Sequence, residues 1–198
     1  HGLRTNLLRQ RRKPFHVTKH DRDLLVFTFN SVTLGQDFSG QALGQVAPGA
    51  IVLPVGNGAL LLGIVNGFSR LLQAGLIAAL PRLFAAQAAA CAPIYEAFAR
   101  GLAAVEPVTP AATSASGIAI AQPVRGNEIL AAVRATGGTV VSVAEPDILQ
   151  ARARLANCGF YVEETSAAAV AALAQVRDLL RPGETVIAPL TGHGLKTY

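Results

Sequence analysis

From residue 50 onward, short apolar runs alternate with stretches of helical spacing, and this rhythm does most to narrow the fold. AIVLPV (50–55) is short and uniformly apolar, which predicts a strand buried on both faces. After GNG, the stretch ALLLGIVNGFSRLLQAGL sets Leu60, Ile64, Phe68, Leu71 and Leu72 at helical spacing. RLFAAQA (82–88), introduced by Pro81, reads as a second strand, and CAPIYEAFARG as a short helix that Gly101 stops. Residues 102–117, with Pro107 and Pro110, form an irregular connection. A helix over GNEILAAVRATGG ends at Gly137 and Gly138, and TVVSV (139–143) is a strand. EPDILQARARLANCG is a helix with Pro146 in its first turn and Gly159 at its end. FYVE (160–163) reads as another strand, SAAAVAALAQVRDLLR as a helix, and ETVIAPL as a last strand running into TGHGLK. Such alternation predicts an α/β fold, an open and mostly parallel sheet with helices on both faces. Residues 1–45 stand outside the rhythm, and only LLVFTF (24–29) there reads as a strand.

Composition excludes several alternatives. With 198 residues, 51% hydrophobic and only 15% charged, the chain can bury a real core and is not disordered. The net charge of +5 is uneven: residues 1–22 hold seven Lys/Arg against one acid, while residues 23–198 hold ten against eleven. The basicity belongs to the tail. RQRRKPFHVTKH could touch phosphate backbones, but no zinc spacing, RNP pattern or helix-turn-helix accompanies it. A solvated basic arm is the plainer reading, and no nucleic-acid partner is expected. Residues 38–69 are uncharged, yet Pro48, Pro54, Gly56, Asn57 and Gly58 interrupt them, so two short buried elements around a loop are expected, not a membrane span. Cys91 and Cys158 cannot make a disulfide framework and read as small buried residues of a reduced, cytoplasmic protein. His1, His16, His20 and His193 lack partners at ligand spacing, so no metal site is expected. The chain begins at His1 without an apolar signal core and reads as a piece of something longer.

Ligands of parallel α/β sheets bind beyond the carboxyl ends of strands. Two loops occupy such places. In Gly56-Asn57-Gly58-Ala59-Leu60, glycines let successive N–H groups turn inward at a helix N-terminus, where a phosphate is the natural guest. A plain turn is the alternative. A dinucleotide fingerprint would need glycine where Leu61 stands, and a P-loop would need lysine after Gly63, so neither nucleotide motif applies. The second loop is Thr191-Gly192-His193-Gly194-Leu195-Lys196, whose Thr191 hydroxyl can donate or accept. His193 could be a general base, but a lone loop histidine reads as incidental.

VLPVGNGALLLG, VRGNEIL, YVEETSAAAVAAL and TGHGLK, in this order and spacing, resemble the threonine synthase family. These are pyridoxal-phosphate (PLP) enzymes of fold type II, the tryptophan-synthase-β class. The resemblance covers roughly residues 40–196 and divides the chain into a poorly matching basic segment, 1–38, and a PLP-binding α/β domain, 39–198. It implies that Gly56, Asn57, Gly58, Ala59 and Leu60 hold the cofactor phosphate and that Thr191 hydrogen-bonds the pyridine nitrogen. Ala59 and Leu60 depart from the family's GNGGN, which spares backbone donors but loses a side-chain contact. Glu164 replaces a usual proline in the E-P-x-S-A-A stretch. Glu163 and Ser166 are candidates for shaping the site, with helix capping the alternative for Ser166.

The resemblance also implies a lysine that carries the cofactor as a Schiff base in an S-F-K-D-like motif. Lys13, Lys19 and Lys196 are the chain's lysines, and none has such surroundings, so no catalytic residue is assigned. The expectation is therefore a portion of an enzyme acting on a small amino-acid substrate. A missing N-terminal half or a homo-oligomer would supply the rest. A non-catalytic remnant, a complementing module, or another fold type II elimination or replacement enzyme remain the alternatives.

Overall fold

A computed structural model describes residues 47–197 together with Leu24–Leu25. The segment 1–23 with its basic tail, and residues 26–46, lie outside the described residues. Five strands form one sheet: β1 (Leu24–Leu25), β2 (Ala50–Pro54), β3 (Arg82–Ala88), β4 (Thr139–Val143) and β5 (Val186–Ile187), in the order β1-β5-β2-β3-β4. Every pairing is parallel. The helices are α1 (Ala59–Gln73), α2 (Pro93–Ala99), α3 (Gly126–Ala135), α4 (Glu145–Asn157) and α5 (Glu164–Val176).

The apolar runs make buried strands because both faces are covered. Every residue of β2 is buried. On one face Ile51, Leu53 and Leu83 pack against Leu61 of α1, Ile94 of α2 and Ile129 of α3. On the other, Val52, Phe84 and Val143 pack against Ile148 of α4 and the alanines of α5. Small residues such as Ala167, Ala168 and Ala172 let α5 lie close to the sheet. The expected α/β architecture is thus observed, with helices on both faces.

Several details differ from the local pattern. Residues 160–163 do not make a strand; Val162 forms a single antiparallel bridge with His193. The last strand is confined to Val186–Ile187, and Pro189, which lacks an N–H, stands just beyond it. Helix α5 begins at Glu164, two residues before Ser166, and tightens into a 3₁₀ turn at Arg177–Leu179. In α1 the buried residues are Leu61 and Leu62, whereas Leu60 and Leu72 are each 37% exposed. Cys91 is buried but Cys158, at the end of α4, is exposed, because only its neighbours on the sheet-facing stripe are covered. Among the described residues, no helix is long and apolar enough to cross a membrane.

At the amino edge of the sheet, Arg82 and Glu184 form a close ion pair, and Arg82 also donates to the Leu179 carbonyl at 2.8 Å. This ties the start of β3 to the turn leading into β5. The carboxyl edge carries the loops.

Candidate functional site

β2 opens the run of strands that moves outward to β4, and β5 returns to the other side of β2. Ligand crevices of open α/β sheets form where the winding changes direction in this way. Ala50 pairs with Val186 and Ile51 with Ile187, so the loops leaving β2 and β5 rise from adjacent strands. These are the loops of Gly56–Leu60 and of Thr191.

After Val55 donates to the Ala86 carbonyl at 2.9 Å, the backbone leaves the sheet. The N–H groups of Gly56, Asn57, Gly58, Ala59, Leu60 and Leu61 find no acceptor among the described residues; intrahelical bonding starts when Leu62 donates to the Gly58 carbonyl at 2.9 Å. The first turn of α1 holds no acidic residue and Gly58 caps it with no side-chain hydrogen bond. Consecutive unpaired amides at a helix N-terminus attract an anion. Gly58 has φ +81°, and a Cβ there would stand 2.3 Å from Cδ1 of Ile129 on α3. Gly56 is required by proximity: a Cβ would come within 3.1 Å of the Gly117 carbonyl oxygen and 3.0 Å of Ile120 Cγ1. The Asn57 and Ala59 side chains are exposed, as is part of Leu60.

The orientation of the first loop amide comes from β3. Gln87, fully buried, donates from Nε2 to the Val55 carbonyl at 3.3 Å, while its Oε1 accepts from the amides of Ile94 (2.9 Å) and Tyr95 (3.0 Å). With the Val55 carbonyl held, the Gly56 N–H on the same peptide plane points the opposite way. Sequence reasoning missed Gln87, although a single amide inside the otherwise apolar RLFAAQA run was its signal.

Around Thr191 the second loop folds onto the first turn of α5. Ser166 Oγ, completely buried, accepts from the amides of Thr191 (2.9 Å) and Gly192 (2.8 Å) and lies 3.0 Å from Thr191 Oγ1. Ser166 is therefore not a helix cap, since the cap position is Glu163. Glu163 approaches Gly192 so closely that a Cβ on Gly192 would collide with its carboxylate. His193 is exposed, accepts the Leu195 amide on Nδ1 at 3.2 Å, and meets the Tyr161 ring edge-on at 5.5 Å, so it shapes the turn. Lys196 is exposed in the 3₁₀ turn Gly194–Thr197. Lys13 and Lys19 lie outside the described residues.

A connecting loop links the two regions. Gly117 packs on Gly56 through its carbonyl and on Thr165 of α5, where a Cβ would meet Oγ1 at 2.7 Å. Glu145, first residue of α4, holds this loop by accepting from Thr113 Oγ1 at 2.7 Å and the Ser114 amide at 2.8 Å. Burial alone would raise the Glu145 pKa, but the hydrogen bonds from Ser114 and Thr113 outweigh it and keep the carboxyl below its ordinary value. A separate cavity of about 390 Å³ lies beyond β3, lined by residues including Cys91, Glu96, Arg100 and Glu106; it contains none of the residues assigned above. Burial pushes the Cys91 thiol up, away from a reactive thiolate. Among the described residues, no group of His, Cys, Asp or Glu could hold a metal ion.

Residues 2–192 match the family model described as pyridoxal-phosphate dependent enzyme. Threonine synthase of Methanosarcina acetivorans is 38% identical over 133 residues, 66% of this chain and 33% of that protein. Threonine synthase of Methanocaldococcus jannaschii is 32% identical over the same shares. Among solved structures, threonine synthase from Escherichia coli superposes with a TM-score of 0.54 at 25% identity, covering 75% of this chain and 33% of that one. Maize serine racemase matches with a TM-score of 0.59 at 18% identity, covering 74% of this chain and 43% of that one, a likeness of fold. The chain spans about a third of the length of the curated relatives it matches. An α/β sheet of this topology and a family match along nearly the whole chain establish that it belongs to the pyridoxal-phosphate dependent enzymes of fold type II.

Proposed function

We propose that the chain forms the phosphate cradle and ring-nitrogen contact of a threonine synthase, whose full reaction converts O-phospho-L-homoserine and water into L-threonine and phosphate. The observation that carries this reading is the run of amides from Gly56 to Leu61 without acceptors among the described residues, at the start of α1 and on a strand adjacent to the one that leads to Thr191. These donors fit a phosphate ester, and a hydroxyl fits a pyridine nitrogen. When bound, pyridoxal 5′-phosphate supplies the electron sink for charge developing on the substrate.

The chain's own residues then bind and orient. The amides of Gly56, Asn57, Gly58, Ala59 and Leu60 take the phosphate oxygens, aided by the α1 N-terminus. Thr191 is uncharged at neutral pH and cannot keep the ring nitrogen protonated, which suits eliminations and replacements at the β and γ carbons. The GNG sequence in place of a glycine run favours threonine synthase over sibling reactions. The amine that anchors the cofactor and moves protons is not Lys196, which sits exposed in a turn. We assign it, with most substrate contacts, to a lysine outside these 198 residues, in a missing N-terminal half or a second subunit, so these residues alone are inactive.

Titration of the purified chain with PLP and with pyridoxal tests the reading. PLP should bind at least tenfold more tightly, and borohydride followed by mass spectrometry should find no cofactor fixed to lysine. Equal affinity for pyridoxal would overturn the cradle assignment; fixation on Lys13, Lys19 or Lys196 would overturn the assignment of the anchoring lysine to a position outside these residues. Phosphate release from O-phospho-L-homoserine should appear only after adding a lysine-bearing N-terminal half from a relative.

A further inference from the structure

Resting on the cofactor reading above, we propose that Ser166 is a positioning residue that forces the Thr191 hydroxyl to act as a hydrogen-bond donor toward the ring nitrogen. A serine hydroxyl has two acceptor lone pairs and one proton. Both lone pairs of Ser166 are spent on backbone amides, those of Thr191 at 2.9 Å and Gly192 at 2.8 Å. Ser166 therefore cannot accept from Thr191 Oγ1, although the two oxygens are 3.0 Å apart. Its single proton goes to Thr191 Oγ1, or to the longer contact with the Gly192 carbonyl at 3.3 Å. In either arrangement the Thr191 proton has no acceptor among the described residues.

The consequence is a directed donor. Ser166 is completely buried, so water does not compete for its lone pairs. It pins the peptide that carries Thr191 and turns the threonine proton outward, toward a ligand that must present a lone pair. An unprotonated aromatic nitrogen does so; a ring carbon bearing hydrogen does not. The hydrogen bond that Ser166 donates also polarises the Thr191 hydroxyl and strengthens its own donation.

The test compares PLP with 1-deazapyridoxal 5′-phosphate, in which C–H replaces the ring nitrogen, using pyridoxal as the control for the phosphate cradle. The wild-type chain should prefer PLP over the deaza compound by several-fold, up to about tenfold, the range of one net hydrogen bond. Thr191→Val should abolish that preference. Ser166→Ala should reduce it toward the Thr191→Val level while the preference for PLP over pyridoxal persists. A merely structural role for Ser166 would weaken PLP and its deaza analogue equally, and an unchanged ratio in Ser166→Ala overturns the proposal. Should Ser166→Ala fail to fold, Ser166→Cys, with a thiol that donates and accepts weakly, carries the same comparison. A wild-type chain that does not prefer PLP over pyridoxal overturns the cofactor reading, and this inference with it.

Discussion

Gln87, in the middle of the buried sheet, reaches across from β3 to hold the Val55 carbonyl of β2 while receiving the Ile94 and Tyr95 amides at the start of α2. One side chain thus sets the exit of two neighbouring loops. Its Nε2–Val55 contact is long, at 3.3 Å, whereas both contacts to Oε1 are near 3 Å, so its larger energetic role is at α2.

Replacing Gln87 by leucine should keep the volume and leave three backbone groups unpaired, the Val55 carbonyl and Ile94 amide buried and the Tyr95 amide partly so. At about 1–3 kcal/mol for each unsatisfied group, partly relieved by relaxation, a loss of about 3 kcal/mol is expected from urea unfolding. The PLP affinity of the folded fraction should fall as well, because the Gly56 amide loses its fixed direction.

Gly58→Ala should be costly twice over. The residue would hold φ +81° and drive its Cβ into Ile129, so a loss of about 2 kcal/mol or more is expected. Gly63→Ala in the same helix, where an added Cβ meets nothing within 4 Å, should instead stabilise by about 0.5–1 kcal/mol. Opposite shifts in thermal midpoint check the pair, and a drop for both would contradict the packing described for α1.

Acid should loosen the connecting loop through Glu145. Its folded-state pKa is depressed by hydrogen bonds from Ser114 and Thr113 that outweigh burial. The sign follows: this contribution is complete above the unfolded-state value of about 4.3 and is lost as pH falls through the lower folded-state value. Urea midpoints measured from pH 6 down to pH 3 should decline in the acid limb, and Glu145→Gln should lie lower at pH 6 with a flatter acid limb.

Arg82→Met should expose how the amino edge is held. Glu184 is half-buried; burial raises its pKa, but hydrogen bonds from the Arg181 amide and Arg82, with the charges of Arg82 and Arg181, outweigh this and keep it below its ordinary value. Without the guanidinium, the carboxylate keeps only the Arg181 amide and the Arg181 charge, and for this half-buried group a loss of about 1–2 kcal/mol is expected at neutral pH. The deficit should narrow in acid, where Glu184 is protonated in the variant; a pH-independent deficit would point to lost packing on Phe84 instead.

The strands β2, β3 and β4 were legible because a strand covered on both faces is mostly apolar, and the helices between them because their apolar positions repeat near 3.6 residues. The GNG loop was legible for a similar reason, since glycines after a buried strand leave few local conformations. Residues 160–163 misled because an apolar–polar run of four suits a strand and a bridge equally. Ser166 was ambiguous because a serine near a helix start can cap it or face inward. Cys158 escaped because its exposure depends on which stripe of α4 meets the sheet.

Local periodicity was enough to determine α/β architecture, the extents of most elements and the place of the glycine loop after β2, since such patterns act between residues a few positions apart. The order of the strands decided everything that crosses between loops. Ser166 and Thr191 are 25 residues apart, and Gln87 and Val55 are 32 apart. Only the assembled sheet brings such groups together, because a buried hydrogen bond needs its partner at a fixed distance and angle, and no spacing along the chain encodes that geometry.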